Sequence, residues 1–370
     1  MSALRRNSDW RRWTVAVTGM NAIPDNPGPG LAVARCLSAS NAFRGRIVGL
    51  GYDALDPGLY HDGICCAAHL LPYPSAGAEA LAERLSQIAE MEKIDAIIPC
   101  LDAELTNFDA VAVALTRAGL RTFLPAGAAL AARAKDRLTD LCQRLGIACP
   151  ETRLVADPAF FDRPDDWGWD YPLVVKGLYY DARVAYDRDM ARAALRAIAA
   201  QWGYPVLVQR FVRGHEVNLA GLGDGQGGLM GPVMMRKQAL TDKGKAWAGI
   251  AIADRKLERL AERLVRALRW RGPLEVEALV GDDGELRLLE INPRFPAWIY
   301  LSHGVGRNLP ELQLRLMAKE ALPALPPPRP GTLFIRQAEE RIVALEDYAS
   351  LTTTGSLTRG AATATQRAAA

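Results

Sequence analysis

Between residues 13 and 125, short apolar runs alternate with stretches of helical periodicity, and no other feature constrains the fold as much. Residues 13–19 (WTVAVTG), 46–51 (RIVGLG) and 94–100 read as buried strands, with a fourth short strand at 121–124. Helices are expected at 30–40, with Leu31, Ala34 and Leu37 on one side, at 79–92, with Leu81, Leu85 and Ile88 on a face, and at 103–118. A chain that alternates in this way builds a parallel sheet covered on both faces, because each strand returns through a helical crossover. Ligands of such sheets sit beyond the carboxyl ends of the strands. That points to the loop 19–30 and to Leu101-Asp102-Ala103-Glu104. The loop lacks the GxGxxG pattern, so it gives a dinucleotide little support, and Gly28 and Gly30 read more simply as tight-turn residues. After the strand at 94–100, Asp102 and Glu104 are the candidate residues, with a helix cap as the alternative for Asp102.

Beyond this domain the texture changes. Residues 128–146 read as one helix ending at Gly146, and Pro150 makes 147–152 extended. Strands are expected at 172–176, 182–186, 206–212, 216–222, 229–238 and 246–253, with helices at 187–201 and 256–268. Strands 274–281 and 285–292 flank Gly281-Asp282-Asp283-Gly284, a hairpin turn by composition. A helix at 309–321, a proline-rich linker at 322–331, a short strand at 332–336 and an Ala/Thr-rich frayed end at 360–370 complete the reading. There is no internal repeat.

A chain of 370 residues suggests two or three domains at about 150 residues each. Apolar residues at 49% and charged residues at 24% are ordinary for a globular enzyme and argue against wholesale disorder. A net charge of +3 offers no global footprint for nucleic acid or an anionic membrane. No apolar run approaches the roughly 18 residues of a membrane span. Arg5, Arg6, Arg11 and Arg12 are not followed by the apolar segment of a secretory signal. The cysteines (36, 65, 66, 100, 142 and 149) form no CxxC pair, so buried thiols in a reducing cytoplasm are expected rather than zinc.

The chemistry concentrates on the last hairpin. Glu277 and Glu290 stand on opposite arms, and Glu290 and Asn292, two apart, share a face of their strand. A turn at 282–283 brings 277 near 288, within reach of 290. Two carboxylates and an amide oxygen suit Mg²⁺, which takes one or two carboxylates plus substrate phosphates. Arg294 adds a planar donor fork; a solvated acidic hairpin is the bland alternative. Lys176, ending an apolar strand, is either solvated or aimed at an anion. Lys135, in a helical stretch, is a surface residue when taken alone; with a metal nearby the two lysines fit phosphate binding. The basic segment 236–247 is a solvated hairpin, or else its Arg236 and Lys237 supply charge to an acyl phosphate or acidic substrate. Residues 209–216 read as a sheet connection carrying charges. His215 and His303 fit no pattern of nucleophilic catalysis.

Over residues 13–320 the chain resembles the ATP-grasp superfamily, in particular its carboxylate–amine ligases and its carbamoyl-phosphate-synthase-like branch. Leu289-Glu290-Ile291-Asn292-Pro293-Arg294 matches the Glu-x-Asn-Pro-Arg signature. The resemblance implies an α/β and α+β multidomain fold. An N-terminal parallel-sheet domain (1–125) would precede a linker helix and small mobile subdomain (126–212), a metal-bearing subdomain (213–325), and a linker and tail (326–370). It implies ATP and Mg²⁺, or Mn²⁺, as cofactors. Glu277, Glu290 and Asn292 fall at the metal positions and Lys135 and Lys176 at the phosphate lysines. Gln209, Arg210, Phe211 and Val212 match the adenine hinge, and Glu216 the ribose carboxylate. Arg294, Lys237 and Arg236 are the catalytic candidates. The implied reaction joins a small-molecule or peptide carboxylate to an amine through an acyl phosphate. Dimers are frequent among such proteins, which makes a homodimer an expectation. The chain departs from the family after Lys176: the segment 177–183 holds one Gly and two Tyr in place of a glycine-rich loop. Either Tyr179, Tyr180 and Arg183 cover the phosphates or closure is weak. The latter motivates a second expectation, ATP binding without turnover.

Overall fold

The computed structural model describes residues 8–163, 168–178 and 181–359. The readings at Arg5 and Arg6, at Tyr179 and Tyr180, and over 360–370 lie outside the described residues. The N-terminal part runs β1 (Thr14–Val17), α1 (Gly30–Ser38), β2 (Arg46–Gly51), β3 (Ala67–Leu70), α2 (Gly77–Glu92), β4 (Ala96–Ile98) and α3 (Asp102–Ala118). Then come α4 (Gly127–Ala132) and α5 (Leu138–Leu145). A middle unit holds β5 (Thr152–Val155), β6 (Leu173–Lys176), β7 (Ala182–Ala185), α6 (Arg188–Trp202) and β8 (Val206–Arg210). The largest sheet uses β9 (Gly214–Asp224), β10 (Leu229–Leu240), β11 (Ala246–Ile252), β12 (Arg271–Gly281) and β13 (Leu286–Asn292), with α7 (Arg255–Leu268) between β11 and β12. Helices α8 (Tyr300–Gly304) and α9 (Leu309–Met317) follow, then β14 (Leu333–Ile335), α10 (Leu345–Thr354) and β15 (Ser356–Thr358).

Three sheets result, in the orders β15-β3-β2-β1-β4, β13-β12-β9-β10-β11-β14 and β5-β8-β6-β7. In the first, β1 to β4 are parallel, as the strand–helix alternation requires. The other two are antiparallel. The middle unit has its own core around Phe161, Trp169, Leu195 and Val206 and shares none of the other cores. Helix α7 shows why its segment folds as it does. Asp254 caps its first turn by accepting from the Lys256 and Leu257 amides at 2.7 and 3.2 Å. Leu257, Leu260, Ala261, Leu264 and Val265 recur at helical spacing and are all buried against the large sheet. Each large apolar side chain so buried contributes about 1.5–3 kcal/mol. Among the described residues no helix is long and apolar enough to cross a membrane.

The structure corrects the sequence reading in four places. Residues 121–124 form no strand, only a single bridge from Arg121 to Ala96. The helix expected over 128–146 is two helices, and Lys135 lies in the turn between them. In one helix, positions 133 and 135 would face nearly opposite sides, about 200° apart. The turn lets Arg133 reach Asp102 and Lys135 reach Glu290, each at 3.4 Å. Strand β3 went unseen because Ala-Ala-His-Leu carries little strand signal. Finally, 326–370 is more than linker and tail: α10 delivers β15 to the open edge of β3, antiparallel, with Ser356 opposite His69. Buried His69 contacts Ser356 Oγ at 2.9 Å and Glu92 Oε1 at 3.1 Å, which ties this return strand to the first sheet.

Candidate active site

Strands β13, β12, β9 and β10 lie side by side, and their register decides which side chains meet. Glu277 stands opposite Glu290 on one side and Asn218 on the other, and Glu275 lies opposite Asn292. Lys237 falls opposite Glu216, because its neighbour Arg236 pairs with Val217 in the same ladder. Since side chains alternate along a strand, Glu216, Asn218, Lys237, Glu275, Glu277, Glu290 and Asn292 share one face. The outer rungs of the hairpin pair Ala278 with Leu288, and continuing that register would put Glu290 opposite Val276, on the wrong face. A one-residue bulge between the Ala278 and Glu277 rungs restores the match. The register therefore differs from the expected 277–288 pairing: Glu277 meets Glu290 directly.

The face is densely bonded. Lys237 Nζ donates to Glu216 and reaches Glu277 Oε2 at 3.4 Å. Asn292 Nδ2 donates to Glu277 at 2.9 Å and to Glu275 at 3.1 Å. Buried Glu275 also accepts from Asn218 Nδ2 at 3.0 Å, Trp298 Nε1 at 2.7 Å and Arg294 Nη1 at 3.4 Å. Arg294 Nε donates to Asp102 Oδ2 at 2.6 Å, joining the large sheet to the first helix turn after β4. Burial works to raise Glu277, but Lys237, then Lys245 and Arg294, outweigh it and hold the carboxyl at about 2. Glu275 is pushed up by burial and by the Glu277 charge. Burial also opposes the ionised form of Asp102, and Arg294 and Arg133 overcome it, holding that carboxyl below its usual range. Lys237 is raised, because Glu277 and Glu216 outweigh its desolvation. Lys176 is lowered, chiefly by burial, against the pull of Glu290.

Two clefts meet at this face. The first lies between the middle unit and the large sheet and is lined by Lys135, Lys176, Gln209, Cys149, Thr152 and Glu290, among others. The second lies between the loop 26–29 and the large sheet; Asp102, Lys237, Lys245, Glu275, Glu277, Arg294, Trp298 and Arg336 line it. Lys135, Lys176, Gln209 and Glu290 thus gather on one cleft, and Lys237, Glu277 and Arg294 on the other. Asn292 is buried between carboxylates. Gln209 is buried, its Nε2 donating to Thr152 Oγ1 at 2.9 Å. Arg210 turns outward to Glu151 at 3.0 Å. Phe211 and Val212 are half-buried in the β8–β9 connection, and Glu216 is held by Lys237. Arg183 is exposed and paired with Asp181 at 2.9 Å.

Two sequence candidates are corrected. Arg236 is exposed and lines neither cleft, because alternation turns it to the opposite face from Lys237. Glu104 is a buried structural carboxylate that accepts from Thr18 and Tyr52 and from the Cys100 and Leu101 amides at 2.8 and 2.9 Å. Conversely, Glu275, Asn218, Trp298, Arg133 and Arg336 were not singled out. Glu275 stands two residues before Glu277, so strand period alone places it on the same face. The same period places Asn218 with Glu216, and nothing local marks Trp298, Arg133 or Arg336.

The sequence model of "ATP-grasp in the biosynthetic pathway with Ter operon" matches residues 204–339. The chain is 28% identical over 262 residues to the carbamoyl phosphate synthase large chain of Thermus thermophilus, an alignment covering 66% of this chain and 25% of that relative. It therefore spans about a quarter of the relative's length. Biotin carboxylase from Campylobacter jejuni superposes with a TM-score of 0.65 at 17% identity, over 85% of this chain and 73% of that one. L-amino acid ligase from Bacillus licheniformis gives 0.60 at 20% identity, over 85% and 75%. The three-sheet architecture, the Glu290-to-Arg294 run on the carboxylate face and these likenesses agree: the chain has the ATP-grasp fold, preceded by a parallel-sheet domain.

Proposed function

We propose that the chain is an ATP-dependent ligase: it activates a substrate carboxylate as an acyl phosphate and joins it to an amine or similar nucleophile, releasing ADP and phosphate. One observation carries this reading. Glu290 lines the first cleft, Glu277 lines the second, and the two stand directly opposite each other across one strand pair. A phosphoryl donor in one cleft and an acceptor in the other would share a single acidic boundary.

ATP belongs in the first cleft. There Lys135 and Lys176 attract its phosphates, the backbone of 209–212 faces adenine and Glu216 takes the ribose hydroxyls. The donor set fits Mg²⁺ or Mn²⁺. Glu277 is ionised at neutral pH, Glu290 is a second hard-oxygen donor, and the buried Asn218 Oδ1 beside Glu277 has no partner among the described residues. Among the described residues no three acidic, histidine or cysteine side chains are arranged to hold a metal ion by themselves, and Mg²⁺ bound partly by phosphates does not need three. Glu277, Glu290 and Asn292 would hold the ion, which when bound supplies charge neutralisation on the transferred phosphoryl group. Arg294, fixed by Asp102 and Glu275, orients the acceptor carboxylate, and Lys237 offsets charge between the two clefts. The acid is a small molecule or peptide, and the nucleophile an amine. The relative named as an amino acid ligase supports a bond-forming reading.

A coupled ADP-release screen over carboxylates and amines tests the proposal. Glu290→Gln is expected to abolish ADP formation while circular dichroism stays unchanged. Wild-type turnover in that variant would sink the metal assignment. ATP binding by calorimetry with no ADP release across the screen would leave a nucleotide-binding protein in place of a ligase.

A further inference from the structure

Four cations, Lys237, Lys245, Arg294 and Arg336, line the second cleft against three carboxylates, Asp102, Glu275 and Glu277. Arg294 is matched by Asp102 and Glu275, and Lys237 by Glu216 and Glu277. Arg336 and Lys245 are different: both line the cleft, and neither has a carboxylate within salt-bridge distance among the described residues.

Arg336 directly follows β14, and strand alternation puts it on the inner face with Phe334, while Leu333 and Ile335 are exposed. Its Nε donates to the Ala246 carbonyl at 2.8 Å and its guanidinium lies 5.8 Å from the Phe334 ring. Those contacts fix the plane of the fork. Among the described residues the two terminal nitrogens have no acceptor. Burial, reinforced by the nearby Arg35 charge and only partly offset by the more distant Glu275, pushes the group down to about 10. A half-buried guanidinium without a counterion is costly unless a ligand supplies one. Lys245, half-buried and acting on Glu277 and Asp102, ends a hairpin tied down onto the N-terminal loop: Thr241 Oγ1 donates to the Asp25 carbonyl at 2.9 Å and the Lys243 amide to Asp25 Oδ1 at 3.1 Å. The hairpin is therefore held in place over the cleft.

The backbone position of Arg336 sets it toward the end of the cleft away from Glu277, with the Glu275 charge still acting on it. Strand β14 lies four positions from β12, which carries Glu277. At about 4.8 Å per strand that is roughly 19 Å, well beyond one Arg side chain. We infer that the acid taken by this cleft carries a second anionic group, a carboxylate or a phosphate, that seats on the Arg336 fork, with the Lys245 charge lying between that fork and Glu277. This rests on the ligase reading for the first carboxylate, but it concerns recognition and not turnover.

The test is calorimetric titration of the full chain, with and without Mg²⁺ and a non-hydrolysable ATP analogue. The probes are matched sets: butyrate, valerate and hexanoate; succinate, glutarate and adipate; and 4-phosphonobutyrate as the phosphate-like arm. At least one doubly anionic acid is expected to bind about tenfold or more tighter than its monocarboxylate, the scale of one charge-assisted hydrogen-bond pair. Arg336→Met should erase that preference, Arg336→Lys restore part of it and Lys245→Met reduce it, with thermal midpoints confirming folded variants. A preference confined to 4-phosphonobutyrate would identify phosphate as the second group, and one shared with a dicarboxylate a carboxylate. No preference in the wild type, or a preference that survives Arg336→Met, overturns the inference. ADP release in the substrate screen is read separately. Turnover of monocarboxylates indifferent to Arg336 would sink this inference and keep the ligase. Arg336-dependent binding without any ADP release would do the reverse.

Discussion

Replacing Lys237 with methionine keeps most of the side-chain volume but removes the ammonium held between Glu216 and Glu277. The side chains of Lys237 and Glu277 are only 10% and 17% exposed, so solvent does little to screen the loss. Glu277 sits at about 2 against an ordinary 4.5. At about 1.4 kcal/mol per pKa unit that gap corresponds to about 3 kcal/mol of stability at neutral pH. Lys237 supplies the largest share and Lys245 and Arg294 the rest. The variant is therefore expected to lose about 2–4 kcal/mol, in line with removing one partner of a buried pair. If the large sheet melts as a unit, calorimetry should register a drop of about 5–10 °C at pH 7. The pH dependence carries the sign. In the wild type, Glu277 has a depressed pKa, so its contribution is present above the unfolded value and is lost only as pH falls through about 2. Without Lys237, burial acts with less opposition and the Glu277 pKa rises. As pH falls from 7 toward about 4 the carboxyl takes up a proton and the variant's deficit shrinks. Millimolar Mg²⁺ at pH 7 should also narrow it by replacing the missing charge. A deficit that is absent at pH 7, or equal at pH 7 and pH 4, would refute this account of the face.

Three further outcomes follow from other residues. The Cys149 thiol, in the first cleft, is lowered to about 7 by the Cys142 thiol. Its alkylation by iodoacetamide should rise most steeply near neutral pH, be slowed by MgATP, and shift toward higher pH in Cys142→Ala; a rate that is flat until well above pH 8 would contradict this. A Cβ at Gly30 would lie 1.9 Å from the Thr18 carbonyl oxygen and 2.6 Å from that of Gly19, so Gly30→Ala should cost about 3 kcal/mol or more, read as a fallen melting temperature. Trp298→Phe leaves buried Glu275 without a donor that sits at 2.7 Å, with an expected loss of about 1–3 kcal/mol by the same measurement.

Much of this was legible in the sequence because it is local. The strand–helix alternation before residue 125 specifies a parallel sheet, since short apolar runs joined by helices have few other ways to bury both faces. Period two on one strand places Glu290 with Asn292, and it would have placed Glu275 with Glu277. It would also have turned Arg236 away from Lys237. What stayed hidden depends on distant parts of the chain or on one-residue irregularities. The bulge at Leu289 carries no local mark, yet without it Glu290 would face away from Glu277. The break at 133–137 sends Arg133 to Asp102 and Lys135 to Glu290, partners more than 30 and 150 residues away. The return of β15 to β3 joins positions 356 and 69, and no periodicity encodes such a pairing. Arg336 follows a proline-rich stretch as an ordinary surface-like arginine and enters the second cleft only because β14 pairs with β11. The sequence by itself determined most of the elements and the chemical kind of the acids and lysines, because propensity and period act over a few residues. The tertiary structure alone decided which of them meet, because register, bulges and long-range pairing depend on the packing of the whole chain.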